Sequence, residues 1–302
     1  MGGIKMKKTL IAIILVLVIM SSFAFSKSVV VGSKMFTEGY IVSNMIVDLL
    51  EDNGFDVQKR FGLSSLPIRK GMETGQIDIY PEYTGTAWAA YFKKETQIYD
   101  PVELFNKVNE IDQEEYGIVW LDMINFNNTY GLAVRNEFAQ ENNINSLSDL
   151  SNYINNGNKV IFGVNPEYYK RSDGIFAVID TYDMNVDKNN VKTMEAGLTY
   201  TALENGNIDV AMVYSTDALI LKHDLKVLED DKNFFPLYYP AALVREETLE
   251  EYPEIKEILN PLTLYLNENI IIRLNYLVDV EGLEPEIVSE RFLEALGLIN
   301  NN

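Results

Sequence analysis

Between Gly75 and Trp88 the chain reads Gly-Gln-Ile-Asp-Ile-Tyr-Pro-Glu-Tyr-Thr-Gly-Thr-Ala-Trp, which gathers three rings, two carboxylates and two threonines at one strand end. Pro81 and Gly85 are expected to stop regular structure at Tyr83. Such a composition suits a binding edge, although rings are equally at home in a core. A second copy bears on the choice. Leu203 to Val210 repeats Met72 to Ile79 through Glu, Gly, Ile and Asp, and Tyr214 stands five residues after Asp209 as Tyr83 does after Asp78. Chance recurrence of a helix-Gly-strand segment is one explanation; two related lobes, each offering a tyrosine at a strand end, is the other.

Catalysis finds little support. His223, the single histidine, stands between Lys222 and Asp224 and reads as a surface residue rather than a base. The chain has no cysteine, no Gly-x-Ser-x-Gly elbow and no glycine-rich phosphate loop. Asp78, Glu82 and Asp209 could meet a metal, but no spacing resembles a loop of oxygen ligands, so neither metal nor cofactor is expected. What remains is tyrosine: Tyr83, Tyr130, Tyr214 and Tyr238 each fall at a predicted strand end or crossover. Four ring faces suit a quaternary ammonium, whose methyl groups shield its charge from hydrogen bonding and leave cation–π attraction, about 0.5–2 kcal/mol per ring. With 18 tyrosines in the chain, core packing is the alternative for any one of them.

The elements that must position these residues alternate. Ser28 to Val31, Val57 to Phe61 and Ile77 to Tyr80 read as strands, Tyr40 to Leu50 and Leu66 to Thr74 as helices, and the alternation predicts an α/β, mostly parallel sheet flanked by helices. Lys34, Thr37 and Glu38 sit at a turn and helix entry where an anion could be held, or where a helix is simply capped. A helix from Pro101 to about Asn109, an acidic segment and the strand Ile118 to Leu121 follow. Phe126 to Val134 reads as a crossover, Lys159 to Gly163, Val191 to Met194 and Ile208 to Tyr214 as strands of a second lobe, and Asn233 to Pro240 as the crossover back. Helices are expected at Pro253 to Leu259, Pro261 to Leu266, Ile270 to Val278 and Pro285 to Leu296.

With 302 residues, 47% of them hydrophobic, the chain can bury cores for about two domains. Lys5, Lys7 and Lys8 precede the apolar run Leu10 to Met20, and Ala24-Phe25-Ser26 supplies small residues for cleavage, so 1–26 is expected to be a signal peptide; a retained anchor is the rival. The net charge of -20 becomes -23 without those three lysines, which argues against a nucleic-acid partner. The lobes are then expected at 27–127 and 237–302 for the first and 128–236 for the second.

Gly32-Ser33-Lys34-Met35-Phe36-Thr37-Glu38, Gly75 to Thr86, Asn127 to Tyr130, Arg171 to Gly174, Tyr214 to Asp217 and Asp230 to Tyr239 together resemble the substrate-binding proteins of osmoprotectant ABC transporters. The resemblance implies a two-lobed type II periplasmic-binding-protein fold joined by two crossover segments. It also implies an exported, monomeric, non-enzymatic receptor for glycine betaine, or then choline or carnitine, working with ABC permease subunits from the periplasm or cell surface. By motif position Tyr83, Tyr130, Tyr214 and Tyr238 correspond to the aromatic box, with Tyr239 beside the last, and Lys34, Thr86 and Arg171 to the groups that meet the ligand's carboxylate or hydroxyl. Gly39 departs from the glutamine of several relatives. A binding protein of the same fold for an amino acid or polyamine, and an extracytoplasmic hydrolase, are the other readings.

Overall fold

The computed structural model describes residues 27–94 and 96–300, so the expected signal peptide at 1–26 lies outside the described residues. The first strand, β1 (Lys27–Lys34), carries Val29-Val30-Val31, whose branched side chains suit a covered, pleated surface. Helix α1 (Thr37–Asp52) follows, and its Ile41, Val42, Met45, Ile46, Leu49 and Leu50 are all buried. The first half continues with β2 (Phe55–Leu63), α2 (Ser65–Glu73), β3 (Ile79–Tyr83), α3 (Pro101–Tyr116) and β4 (Ile118–Trp120). Then come β5 (Tyr130–Arg135), β6 (Phe162–Val164), α4 (Pro166–Lys170), β7 (Val191–Thr193), α5 (Ala196–Glu204), β8 (Val210–Tyr214) and β9 (Leu225–Val227). β10 (Pro240–Arg245), α6 (Glu268–Asp279) and α7 (Pro285–Ala295) close the described chain. α1 is apolar on more than one face because β1 and β2 cover one side of it and α6 and α7 another.

The strands form two five-stranded sheets, β2-β1-β3-β10-β4 and β7-β6-β8-β5-β9. In each, the strand that follows a crossover, β10 or β5, runs antiparallel to both neighbours, while β1 to β3 and β6 to β8 are joined in parallel. Two mostly parallel sheets flanked by helices are therefore linked by two passages that run side by side. Tyr238 N–H donates to Asn127 Oδ1 at 2.7 Å, Asn128 N–H to the Tyr238 carbonyl at 3.0 Å and Thr129 Oγ1 to the Pro236 carbonyl at 3.1 Å.

The internal repeat is a repeat of geometry. Asp78 Oδ2 accepts Val30 N–H at 2.8 Å while Asp78 N–H donates to the Val30 carbonyl, and Asp209 does both with Ile161 at the same 2.8 Å. Each aspartate also faces an arginine from the antiparallel strand, Arg245 at 3.4 Å or Arg135 at 4.0 Å. Two of the three carboxylates considered as metal ligands, Asp78 and Asp209, are thus strand clips, and the third, Glu82, is paired with Lys34. Gly75 and Gly206, at φ 71° and 70°, turn the chain into the clip through the left-handed region that glycine enters without penalty.

Several boundaries differ from expectation for identifiable reasons. β3 runs through Pro81 to end at Tyr83, beyond the expected Ile77 to Tyr80, and regular structure does not stop at Tyr83 because Thr84–Thr86 is helical. β3 pairs with β1 only at Ile79, so beyond that point the strand has one hydrogen-bonded neighbour and the missing N–H can face the open side. The acidic segment after Asn109 is helical, since Asp112 is buried against Arg69 at 2.6 Å and α3 ends only at Gly117, φ 62°. β9 and the helices Asn136–Asn142 and Glu246–Glu251, too short or too polar for periodicity, were not anticipated. His223 is not a surface residue: its side chain is 10% exposed, faces Glu204 at 3.0 Å and stacks on Tyr200.

Candidate ligand-binding site

β3 and β8 end on the same side of the molecule as the starts of β5 and β10, because Tyr83 pairs with Pro240 and Tyr214 with Tyr130 in register. The ends of β3 and β8, the start of β5 and both crossing segments border a cavity of about 740 Å³. Tyr83, Tyr130, Tyr214 and Tyr238 all line it, as do Lys34, Thr86 and Arg171. Tyr130 is the centre of the ring cluster, 5.1 Å from Tyr214 and 5.3 Å from Tyr238 between centroids, with Tyr168 stacked behind it at 4.5 Å. Tyr83 joins through Phe36, which lies 6.0 Å from Tyr83 and 5.4 Å from Tyr214. Tyr238 lines the cavity; Tyr239 is not among the residues that do. Burial pushes the phenols of Tyr83, Tyr130, Tyr214 and Tyr238 above their ordinary range, so all four rings are neutral at physiological pH.

Gly85 is what lets Tyr238 approach. A Cβ there would meet the Leu237 carbonyl and the Tyr238 ring at 2.7 Å. Immediately after, Ala87–Tyr91 forms a π-helical turn, a local departure of the kind that re-aims side chains at functional sites. On the opposite rim Ser65 N–H, at the start of α2, donates to Glu167 Oε2 at 3.3 Å, a contact between the two halves across the mouth.

The cationic groups are already engaged. Lys34 Nζ lies 2.5 Å from the fully buried Glu82, which also accepts from Tyr80 and Tyr91 hydroxyls, and 5.4 Å from the Tyr83 centroid. Arg171 is forked onto Asp173, at 2.8 and 2.5 Å, and sits 5.7 Å from the Tyr130 centroid. Its Nη1 is buried with no hydrogen-bond partner, the nearest carboxylate being Glu167 at 3.6 Å. Lys34 and Arg171 therefore border the cavity as members of ion pairs.

Sequence reasoning missed Phe36 and left Glu38 as one end of an ordinary helix start. Glu38 is buried and accepts hydrogen bonds from Tyr83 Oη at 2.6 Å, Thr216 Oγ1 at 2.7 Å and Asn128 Nδ2 at 2.8 Å. Burial raises its pKa above the ordinary carboxylate value, against the lowering effect of those bonds. No local signal marks it: this helix start has no side-chain cap, and the Glu38 oxygens are held by groups from distant segments.

Residues 27–295 match the family model described as the substrate binding domain of an ABC-type glycine betaine transport system. A glycine-betaine-binding protein of Pseudomonas aeruginosa is 33% identical over 93% of this chain and 92% of its own length. A carnitine transport binding protein of Listeria monocytogenes is 35% identical over 96% and 97%. The crystal structure of a glycine betaine/carnitine/choline ABC transporter component superposes with a TM-score of 0.71 at 30% identity, covering 90% of this chain and all of that one. By family model, relatives and fold alike, this chain belongs to the substrate-binding domains of ABC-type glycine betaine transport systems.

Proposed function

We propose that the chain captures a quaternary ammonium solute, glycine betaine before choline or carnitine, between its two sheets and presents it to ABC permease subunits. The observation that carries this reading is the convergence of Tyr83, Tyr130, Tyr214 and Tyr238 on one cavity from strand ends of both sheets. Their faces supply what a methylated cation can use, and the cation–π gain grows as the cleft excludes water. The ligand's other end meets Arg171, whose Nη1 is a buried donor without a hydrogen-bond partner, Glu167 lying 3.6 Å away; a carboxylate there would make a charge-assisted bond that choline cannot offer. Thr86 and Lys34 border the same space, with Lys34 held back by Glu82.

On this reading the lobes divide at 127/128 and 236/237 and the paired crossing segments act as the hinge, supported by the hydrogen bonds that hold those segments side by side. Ligand bound to rings of both lobes stabilises the closed form by its differential contacts, and that form is what the permease reads. On the same reading the chain performs no reaction; His223 lies against Glu204 and Tyr200 and does not line the cavity. It acts as an exported monomer after removal of 1–26; among the described residues no helix is long and apolar enough to cross a membrane. Titration calorimetry with glycine betaine, choline, carnitine and proline tests the reading. At least one quaternary ammonium compound gives saturable heat; none doing so, with no shift in melting temperature, removes it.

A further inference from the structure

Several buried or half-buried carboxylates lie next to the ring cluster; Glu82 and Asp173 are matched by cations, whereas Glu38 and Asp217 are held by hydrogen-bond donors. Glu82 has Lys34 at 2.5 Å and Asp173 has Arg171 at 2.5 Å. Glu38 has neither: it is 2% exposed, and among the described residues no lysine or arginine lies within ion-pair distance of it. What it has is donors. Tyr83 Oη at 2.6 Å, Thr216 Oγ1 at 2.7 Å, Asn128 Nδ2 at 2.8 Å and Asn275 Nδ2 at 3.5 Å all point to its two oxygens, the arrangement an ionised carboxylate requires. Its shortest bond is to the phenol of a ring that borders the cavity.

We infer that Glu38 is the counter-charge of the bound cation, acting through Tyr83: the carboxylate draws on the phenol proton, makes the ring face more negative, and its own unbalanced charge is answered when a quaternary ammonium enters. This rests on the proposed function. The chemistry is that of a buried anion left without a partner until ligand supplies one. A buried charge with no counter-ion destabilises the empty protein, and a cation held against the intervening ring relieves it. The same bonds tie Tyr83 to Thr216, two residues beyond Tyr214, and to Asn128 in the first crossing segment, so the group that polarises one ring also fixes its place relative to the others. Asp217 shares the site: it accepts from Tyr200 Oη and Tyr214 N–H, and the nearby Glu38 is one of the groups that raise its pKa.

The test is Glu38→Gln, which keeps shape and an acceptor oxygen while removing charge; its amide can donate to the Tyr83 or Thr216 hydroxyl oxygen. Two quantities are read: the melting temperature without ligand, and the affinity by calorimetry for whichever of glycine betaine, choline and carnitine the wild type binds most tightly. The expected result has opposite signs. The empty variant melts at the wild-type temperature or above it, while the dissociation constant rises about tenfold. Unchanged affinity overturns the inference. So does a variant that fails to fold or melts lower, because a merely structural carboxylate gives that outcome. Tyr83→Phe, which keeps the ring and removes the phenol, adds a second check: in that background Glu38→Gln changes affinity less than twofold, and a full tenfold loss there overturns the proposed route. If the wild type binds none of the three compounds, the proposed function fails first.

Discussion

The two sheets present the same scaffold to the cavity and different chemistry. Asp78 and Asp209 clip their strands with matching 2.8 Å bonds, Gly75 and Gly206 turn into them, and Tyr83 and Tyr214 end β3 and β8. One step before those tyrosines the repeat breaks: the first sheet has Glu82, fully buried and joined to Lys34, where the second has Val213, paired with Gly131. The residue that follows β6, corresponding to Lys34, is Asn165, which caps α4 and donates to Tyr214 Oη at 3.1 Å. Repetition thus places rings, and departure from repetition places charge. A cavity built this way holds an apolar, face-on site shared by both halves, with one buried ion pair, Lys34 with Glu82, in the first and another, Arg171 with Asp173, in the second.

The largest effect expected from this contrast is on stability. Lys34→Met leaves Glu82 buried and unpaired, which costs about 3–5 kcal/mol. Asn165→Ala loses a cap that accepts Tyr168 N–H at 2.7 Å, worth about 1 kcal/mol. Urea unfolding measures both; equal losses would break the comparison. Next comes affinity. Tyr83→Ala with Tyr214→Ala removes one ring from each sheet and weakens binding of a quaternary ammonium by about 1–4 kcal/mol. If calorimetry finds all of that loss in one single variant, the halves do not share the ligand.

The shallowest effect, spread over three pH units, is a titration beside the tyrosine that ends β8. Burial raises Asp217 in the second half to about 7 from an ordinary 3.8, with Tyr200 and Tyr214 N–H opposing the rise. Between those values the folded chain keeps a proton that the unfolded chain has lost. Its contribution to stability is complete below about pH 4 and disappears as pH climbs through 7, the reverse of a salt-bridged aspartate. Asp217→Asn flattens that part of the pH–stability curve; an unchanged slope contradicts the assignment.

The fold and the ring cluster were legible in the sequence, while the polar wiring between them was not. Alternating β-branched runs and helical periodicity gave the layers, and the Asp-to-Tyr spacing marked two strand ends because Gly75 and Gly206 leave a local signature. Pro81 misled because whether a strand tolerates proline depends on which neighbour it pairs with, a tertiary fact. Glu38 was opaque for the same reason: its partners Tyr83, Asn128, Thr216 and Asn275 come from four separate segments, and no local pattern announces a carboxylate that gathers donors across such separations. Lys34 and Arg171 line the cavity, but pattern alone could not reveal that Glu82 and Asp173 pair with them.

A crystal structure of the chain grown with glycine betaine tests the central claim most directly. The account predicts the trimethylammonium group among the faces of Tyr83, Tyr130, Tyr214 and Tyr238, with the carboxylate on Arg171 Nη1. Glycine betaine bound with its methyl groups away from those rings, or held elsewhere on the molecule, would contradict it.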